Sequence, residues 1–321
     1  MNMRCIRVEA DVLTLTQSDT PTPKPDEVLV KVSAFGINRA DLLQRDGNYP
    51  PPPGASDILG LEVAGEVVEC GSGCDSRWQG RRVAAMLAGG GYAEYVTIPL
   101  AHLICIPEQL TDAQFAAVPE VYLTVIQSLV FIAKLQPGHK VLIHAGASGV
   151  GSAGMQLVKA LGGKVAVTCS SGKVGYCQQL GADLVVDYQT DDFESELKAQ
   201  KFYPDIILDV VGENYLNKNI NIVNQDGHIV QLAMMKGRYS EPLDLAKLLG
   251  KRVNIHGSTL RNRDDQYKSR LVDYFNQEVL PLFVQKKLDP AIDRIFAITD
   301  IEQAHSLMRN NQTKGKLVVT W

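Results

Sequence analysis

The sequence predicts an α/β protein in which a doubly wound parallel sheet is joined to a second, discontinuous domain rich in antiparallel β structure. Three observations carry this prediction. Up to about residue 110, short β-rich runs are broken by glycine and proline turns; from about residue 120 the rhythm becomes strand, helix, strand, helix; after about residue 260 short mixed pieces return that do not extend the second pattern. With 321 residues, at roughly 100 to 200 residues per domain, the chain is long enough for two cores. The division expected is 1–118 with 261–321 as one domain and 119–260 as the other.

In the first part the strand candidates are Val28–Ala34, Glu62–Glu69, Arg82–Met86 and Tyr92–Thr97, where apolar and polar residues alternate. In the middle part they are Lys140–Ala145, Lys164–Thr168, Leu184–Val186, Asp205–Asp209, Gly227–Leu232 and Arg252–His256. Several of these six are continuous apolar runs, as strands covered on both faces must be, and helical stretches such as Ser152–Leu161 separate them. Six such strands match the count of a Rossmann-type dinucleotide-binding sheet. The remaining elements are a long polar helix from Asp264 to Phe283, a strand from Ala291 to Ala297, a helix from Asp300 to Arg309 and a strand from Lys316 to Thr320.

Composition narrows the function classes. Hydrophobic residues make up 45% and charged residues 21%, and 32 Lys and Arg against 36 Asp and Glu give a net charge of -4, so no basic footprint for nucleic acid stands out. No apolar window reaches the length of a membrane span, and charges at Arg4, Arg7, Glu9 and Asp11 interrupt any signal-peptide core. A cytoplasmic protein is expected. The six cysteines form no C-x-x-C pair, and Cys70 and Cys74 are read as incidental thiols in a glycine turn.

The stretch from His144 to Gly154, HAGASGVGSAG, can be read as a nucleotide fingerprint in two registers. Gly149, Gly151 and Gly154 fit G-x-G-x-x-G outright; Gly146, Ser148 and Gly151 do so with serine for the second glycine. Position decides for the second register, because the first glycine is needed where the chain leaves the strand, and the strand ends at Gly146. Pyrophosphate is then expected at the backbone of Ser148, Gly149 and Val150 and at the helix N-terminus, with the Ser148 hydroxyl added, Gly151 packing helix on strand, and Gly154 packing one turn on. His144 itself is read as a core histidine. About 20 residues on, where an NAD site places Asp or Glu for the ribose, the chain has Thr168-Cys169-Ser170-Ser171-Gly172-Lys173. Ser170 and Ser171 as donors and Lys173 as a cation favour NADPH, with Tyr188 leaning on the same adenosine end.

Asn38-Arg-Ala-Asp-Leu-Leu-Gln-Arg45, Gly47 to Ala55, Gly60-Leu-Glu-Val-Ala-Gly-Glu66 and HAGASGVG together resemble the zeta-crystallin-type quinone oxidoreductases of the medium-chain dehydrogenase/reductase superfamily, nearest to the subgroup induced by a tumour suppressor in animals. Pro119-Glu120 with Leu123-Thr124, Arg261-x-Arg263-Asp264 and Asn311 followed by Gly315-Lys316 extend the resemblance along the chain. It implies a GroES-like catalytic domain, a Rossmann domain and a cofactor cleft between them. Asn38 and Tyr49 are implied near nicotinamide and substrate, with Tyr49 bonding the acceptor oxygen or giving a proton. Thr124 is implied at the nicotinamide amide, and Asn311 close to the cofactor. Leu232, Ala233 and Met234, and likewise Gly257, Ser258 and Thr259, should pass along the cofactor, because ligands sit at the carboxyl ends of such strands.

Zinc alcohol dehydrogenases resemble the chain in outline but carry a cysteine near the position of Asn38 and a His-Glu pair where Leu61-Glu62 stands, so no catalytic metal is expected. Alcohol oxidation needs a Lewis acid, whereas a quinone is already a strong hydride acceptor that needs mainly positioning. The expectation is an NADPH-dependent quinone reductase. Its rivals are an enone or enoyl reductase with Tyr49 as proton donor, and a crystallin-like or RNA-attaching NADPH-binding protein without turnover. The resemblance further implies a homodimer paired through the edge strand 252–256.

Overall fold

The computed structural model describes residues 2–321 and divides into two compact units. One comprises residues to Leu123, Arg261–Lys286 and Pro290–Trp321; the other comprises Thr124–Leu260 with Lys287–Asp289. The division between Leu123 and Thr124 falls inside the helix Pro119–Val125.

The second unit holds six parallel strands in the spatial order Leu184–Asp187, Lys164–Cys169, Lys140–Ile143, Ile206–Asp209, His228–Gln231, Asn254–Gly257. Numbered along the chain this is 3-2-1-4-5-6, the doubly wound order, and the direction of winding reverses between Lys140–Ile143 and Ile206–Asp209. The inner strands carry apolar runs because they are covered: Leu142, Ala166, Ile207 and Ile229 pack with Phe193, Leu197, Ile220 and Ile222 in one buried cluster. The last strand begins at Asn254 and not at Arg252. A helix not foreseen from sequence, Leu245–Lys251, ends with Arg252 in the left-handed conformation at φ 52°, which delays the strand by two residues.

The first unit is built on a mixed sheet. Its strands run Ile292–Ala297, Lys316–Thr320, Glu27–Ile37, Glu62–Cys70, Arg82–Met86 and Ile104–Cys105, with Tyr95–Pro99 pairing the first half of Glu27–Ile37. The C-terminal strand Lys316–Thr320 lies antiparallel to Glu27–Ile37, with Leu317 opposite Ile37. This pairing sets Lys316 beside the end of the strand that leads into Asn38. A separate hairpin, Asn2–Glu9 with Val12–Asp19, was not predicted from sequence. It turns on Ala10 and Asp11, at φ 47° and 64°, so the usual Asn-Gly or Asp-Gly signal is missing.

The long helix expected from Asp264 to Phe283 is interrupted. Asp265–Tyr274 is α-helical, Phe275–Val279 widens into a π turn, and Leu280–Val284 resumes. Pro281, with no N–H to give, sits where the ladder is re-registered. The helical run 112–132 is long and apolar enough to span a bilayer, contrary to the sequence reading, but most of it is buried inside the protein. All six cysteines are free thiols.

Candidate functional site

In the Rossmann unit the strand Lys140–Ile143 passes through His144 into the glycine turn and the helix Gly149–Ala160. The left-handed residue of this turn is Ala145, at φ 57°, while Gly146 is not in the left-handed region. Gly146 is required for another reason: a Cβ there would lie 2.6 Å from the Val167 side chain on the neighbouring strand. At Gly151 a Cβ would meet the carbonyl oxygens of Ala145 and Gly146 at 2.5 Å, and at Gly154 it would meet Ile143 at 2.8 Å. The register Gly146, Ser148, Gly151 thus places its glycines where backbone and strand crowd the helix, and Gly154 packs on the strand one turn later.

Ser148 is the helix N-cap, and its Oγ accepts the Gly151 N–H at 3.0 Å. That contact uses the hydroxyl as an acceptor and leaves its O–H to donate. Ser152 N–H bonds Ser148 O, so the amides of Gly149 and Val150, the first two of the helix, have no intrahelical partner. A turn with two outward amides, a donor hydroxyl and no Cβ at Gly146 or Gly151 fits a pyrophosphate.

A hydrogen-bond chain beneath the turn fixes its shape. Buried Asp209 accepts the Val211 and Gly212 N–H groups at 2.6 and 3.0 Å, and its other oxygen accepts Asn219 Nδ2 at 2.8 Å. Asn219 Oδ1 is therefore free to accept, so His144 Nε2 carries the proton of their 2.9 Å contact. His144 Nδ1 then accepts from the Thr168 hydroxyl at 3.1 Å, which in turn accepts the Ala145 N–H at 3.3 Å. Burial lowers the His144 pKa, consistent with this neutral tautomer. As the sequence suggests, His144 is a core residue.

At the end of the second strand Ser170 caps a short 3-10 turn, and Ser171 donates both its N–H and its hydroxyl to Gln189 Oε1 at 3.1 and 3.0 Å. Lys173 closes that turn through its N–H to Ser170 O. Counting along the chain finds no carboxylate here, but the fold adds one: Asp187 pairs in register with Cys169, its Oδ1 accepting the Gln189 N–H at 3.0 Å. The fold also adds a cation that sequence reasoning missed. Lys236 Nζ lies 5.7 Å from the Tyr188 ring and 5.5 Å from that of Tyr215.

The other expected segments follow the ends of strands five and six. Leu232 N–H bonds Asp209 O, Ala233 O accepts from Gln231 Nε2 at 2.6 Å, and Met234 is exposed. Gly257 ends the last strand; Ser258 N–H bonds Gln231 O and its hydroxyl accepts Gln127 Nε2 at 2.7 Å, while Thr259 is exposed. Thr124 is buried, with its carbonyl accepting the Ser128 hydroxyl.

In the other unit Asn38 belongs to a buried charge cluster that no local pattern announces. Glu62, fully buried, receives the Lys316 ammonium at 2.5 Å, Asn38 Nδ2 at 3.0 Å and the Glu120 N–H at 2.9 Å. Lys316 spends its remaining donors on Ile37 O at 2.9 Å and Asn38 Oδ1 at 2.6 Å. The Asn38 amide is therefore held at both ends by buried charges. Three residues on, Asp41 accepts the Asn38 N–H at 2.8 Å and the Tyr92 hydroxyl at 3.0 Å, and Tyr92 meets His305 Nε2 at 2.9 Å. Burial pushes the Asp41 carboxyl up to about 6 and drives His305 down to about 3.

Tyr49 is gathered to the same region through Arg261, whose guanidinium stacks 5.1 Å from the Tyr49 ring and bonds Tyr49 O, Ala88 O and Gln44 Oε1. The Tyr49 hydroxyl makes no hydrogen bond among the described residues. Asn311, at φ 56°, accepts the Arg39 guanidinium at 2.6 Å. Among the described residues no group of three or more His, Cys, Asp or Glu is arranged to hold a metal.

Comparison with known proteins agrees with this architecture. The family description "Alcohol dehydrogenase GroES-like domain" matches residues 24–108, and "Zinc-binding dehydrogenase" matches 149–277. A quinone oxidoreductase-like protein 2 homolog from Nematostella vectensis is 30% identical over 302 residues, covering 91% of this chain and 81% of the relative. This chain belongs to the medium-chain dehydrogenase/reductase superfamily. The human synaptic vesicle membrane protein VAT-1 homolog is 29% identical over 316 residues, covering 93% of this chain and 80% of that protein. Among solved structures, the quinone oxidoreductase from Coxiella burnetii superposes with a TM-score of 0.79 at 27% identity over the whole of both chains. Members of the superfamily are oxidoreductases that use nicotinamide cofactors, which is the ligand class the glycine turn fits.

Proposed function

We propose that this protein is a zinc-independent NADPH-dependent quinone oxidoreductase of the cytoplasm. The observation that carries the reading is the strand-turn-helix at Gly146 to Gly151, with the two free amides of the helix start and glycines whose Cβ atoms would strike Val167 and the backbone of the turn. Bound there, NADPH supplies a hydride; this chain's residues hold its phosphates, orient it and serve the acceptor. Ser170, Ser171 and Lys173 favour the 2'-phosphate, and Lys236 adds a second cation nearby, against one carboxylate at Asp187. Asn38 and Tyr49 serve the acceptor side.

Independence from zinc is supported by the donor set. Asn38 is engaged by Glu62 and Lys316, and Leu61 offers no lone pair. For the acceptor, one matched structure is called a quinone oxidoreductase and one relative quinone oxidoreductase-like.

The second reading, reduction of enones, is favoured by the unbonded Tyr49 hydroxyl. Carbon is protonated slowly, so Tyr49→Phe should abolish enone reduction while only weakening quinone reduction; equal loss of both removes the distinction. We also propose a homodimer formed along the free edge of the parallel sheet, Asn254–Gly257, where Ile255 is 40% exposed. Turnover of NADPH by a panel of quinones, with NADH poorly used, is the expected result; inertness toward all of them overturns the reading.

A further inference from the structure

One carboxyl in the Asn38 cluster is left unused by everything above. Glu120 opens the helix Pro119–Val125, and its backbone N–H is tied to Glu62 Oε2 at 2.9 Å. The same Glu62 carboxylate holds Asn38 Nδ2 on its other oxygen, so one buried anion sets Asn38 and Glu120 side by side. The Glu120 side chain is only partly buried, yet it makes no hydrogen bond or ion pair with any described residue. Four residues on, and so on the same face of this helix, stands Thr124.

The charged groups that face Glu120 come from every element around it. Glu62 on its strand and Asp41 on the helix Arg39–Arg45 oppose ionisation, while Lys316 on the C-terminal strand and Arg261 in the loop before Asp265–Tyr274 favour it. Lys268 on that last helix is a further cation that feels Glu120. Lys316 is already committed to Glu62 and Arg261 to backbone carbonyls, Gln44 and the Tyr49 ring. Burial outweighs these cations and, with Glu62, pushes the Glu120 carboxyl up to about 8. At neutral pH it carries a proton that nothing in the fold uses.

We propose that Glu120 is the proton donor to the reduced acceptor, with Glu62 as the residue that positions it beside Asn38. The proposal rests on the reductase reading. The hydride of a dihydronicotinamide forms a C–H or O–H bond on the acceptor and leaves an oxidised nicotinamide; the acceptor becomes an oxyanion. The Glu120 O–H bond breaks, its proton goes to that oxyanion, and the resulting carboxylate is reprotonated by solvent. Two electrons and two protons reach the acceptor, and the side chain returns to its starting state.

Glu120→Gln tests this, because it keeps the shape and leaves the backbone bond to Glu62 in place. The first readout needs no cofactor: infrared titration of the cofactor-free protein should show a protonated carboxyl band at pH 7 that fades near pH 8 and is missing in the variant. The second is the pH profile of NADPH oxidation at saturating acceptor. The wild-type rate should fall tenfold per pH unit above about pH 8, and E120Q should be about 100-fold slower at pH 7 with that limb flattened. Glu120→Asp, which restores an acid on a shorter arm, should recover part of the rate and the limb. A band absent at pH 7, or an E120Q enzyme with the wild-type rate and limb, overturns the proposal. A band present in a wild-type protein that oxidises NADPH with none of the acceptors offered retires the reductase reading and the proton's destination with it, while leaving Glu120 an acid.

Discussion

Lys316→Met is the sharpest perturbation of the buried charge cluster. Lys316 is 2% exposed and Glu62 0%, and the ammonium gives all three of its protons, to Glu62, Asn38 Oδ1 and Ile37 O. Methionine fills a similar volume but strands a buried carboxylate with only two neutral donors, Asn38 Nδ2 and the Glu120 N–H. Removing one partner of such a pair costs about 3 to 5 kcal/mol. For a domain of this size that is a fall in Tm of roughly 6 to 20 °C. Differential scanning calorimetry of the single variant, of Glu62→Gln and of the double variant gives the coupling between the two residues. The double variant should recover most of the loss. A single variant within about 1 kcal/mol of wild type would refute the claim that this pair holds the end of the strand at Asn38.

Gly151→Ala forces a Cβ to 2.5 Å from two backbone oxygens, so it should cost about 1 to 3 kcal/mol and weaken NADPH binding in a fluorescence titration. Unchanged binding would show that the turn is not the phosphate site. Ser171→Asp places a carboxylate where Gln189 now accepts, and the NADPH preference, expected at 10- to 100-fold from one or two charge-assisted bonds, should collapse or invert. His305 is held neutral by burial with its pKa down at about 3, so the unfolded chain takes up a proton that the folded one refuses. Its contribution to stability is complete above about pH 6.5 and is lost as pH falls toward 3. His305→Gln should therefore look less damaging at pH 4 than at pH 7 in paired denaturant titrations. Asp41, raised to about 6, acts in the opposite direction in both proteins and cancels from that comparison. Ile255→Lys on the free sheet edge should leave the fold intact and yield a monomer in light scattering.

The parallel sheet was legible because burial on both faces writes continuous apolar runs such as Ile206-Ile-Leu, and because a glycine turn after a strand has a fixed place. Even there the chain concealed that Ala145 bears the strained backbone and that Gly146 clears Val167. The N-terminal hairpin was missed because Ala10 and Asp11 adopt positive φ without glycine. Asn38 and Tyr49, proposed here to serve the acceptor, were reached only through family resemblance. Glu62, Lys316, Glu120 and Asp41 could not be found by spacing, since what joins them is sheet register between distant segments. A buried glutamate in an alternating strand and a lysine entering the final strand look like ordinary surface charges until the pairing is known.

The most direct test of the account is the ratio of kcat/KM for NADPH over NADH, measured with a quinone acceptor on the metal-stripped protein. Rapid quinone-dependent oxidation, insensitive to chelator, with NADPH preferred by at least tenfold, is the expected result. Equal use of NADH, or activity that vanishes on chelation and returns with zinc, would contradict it.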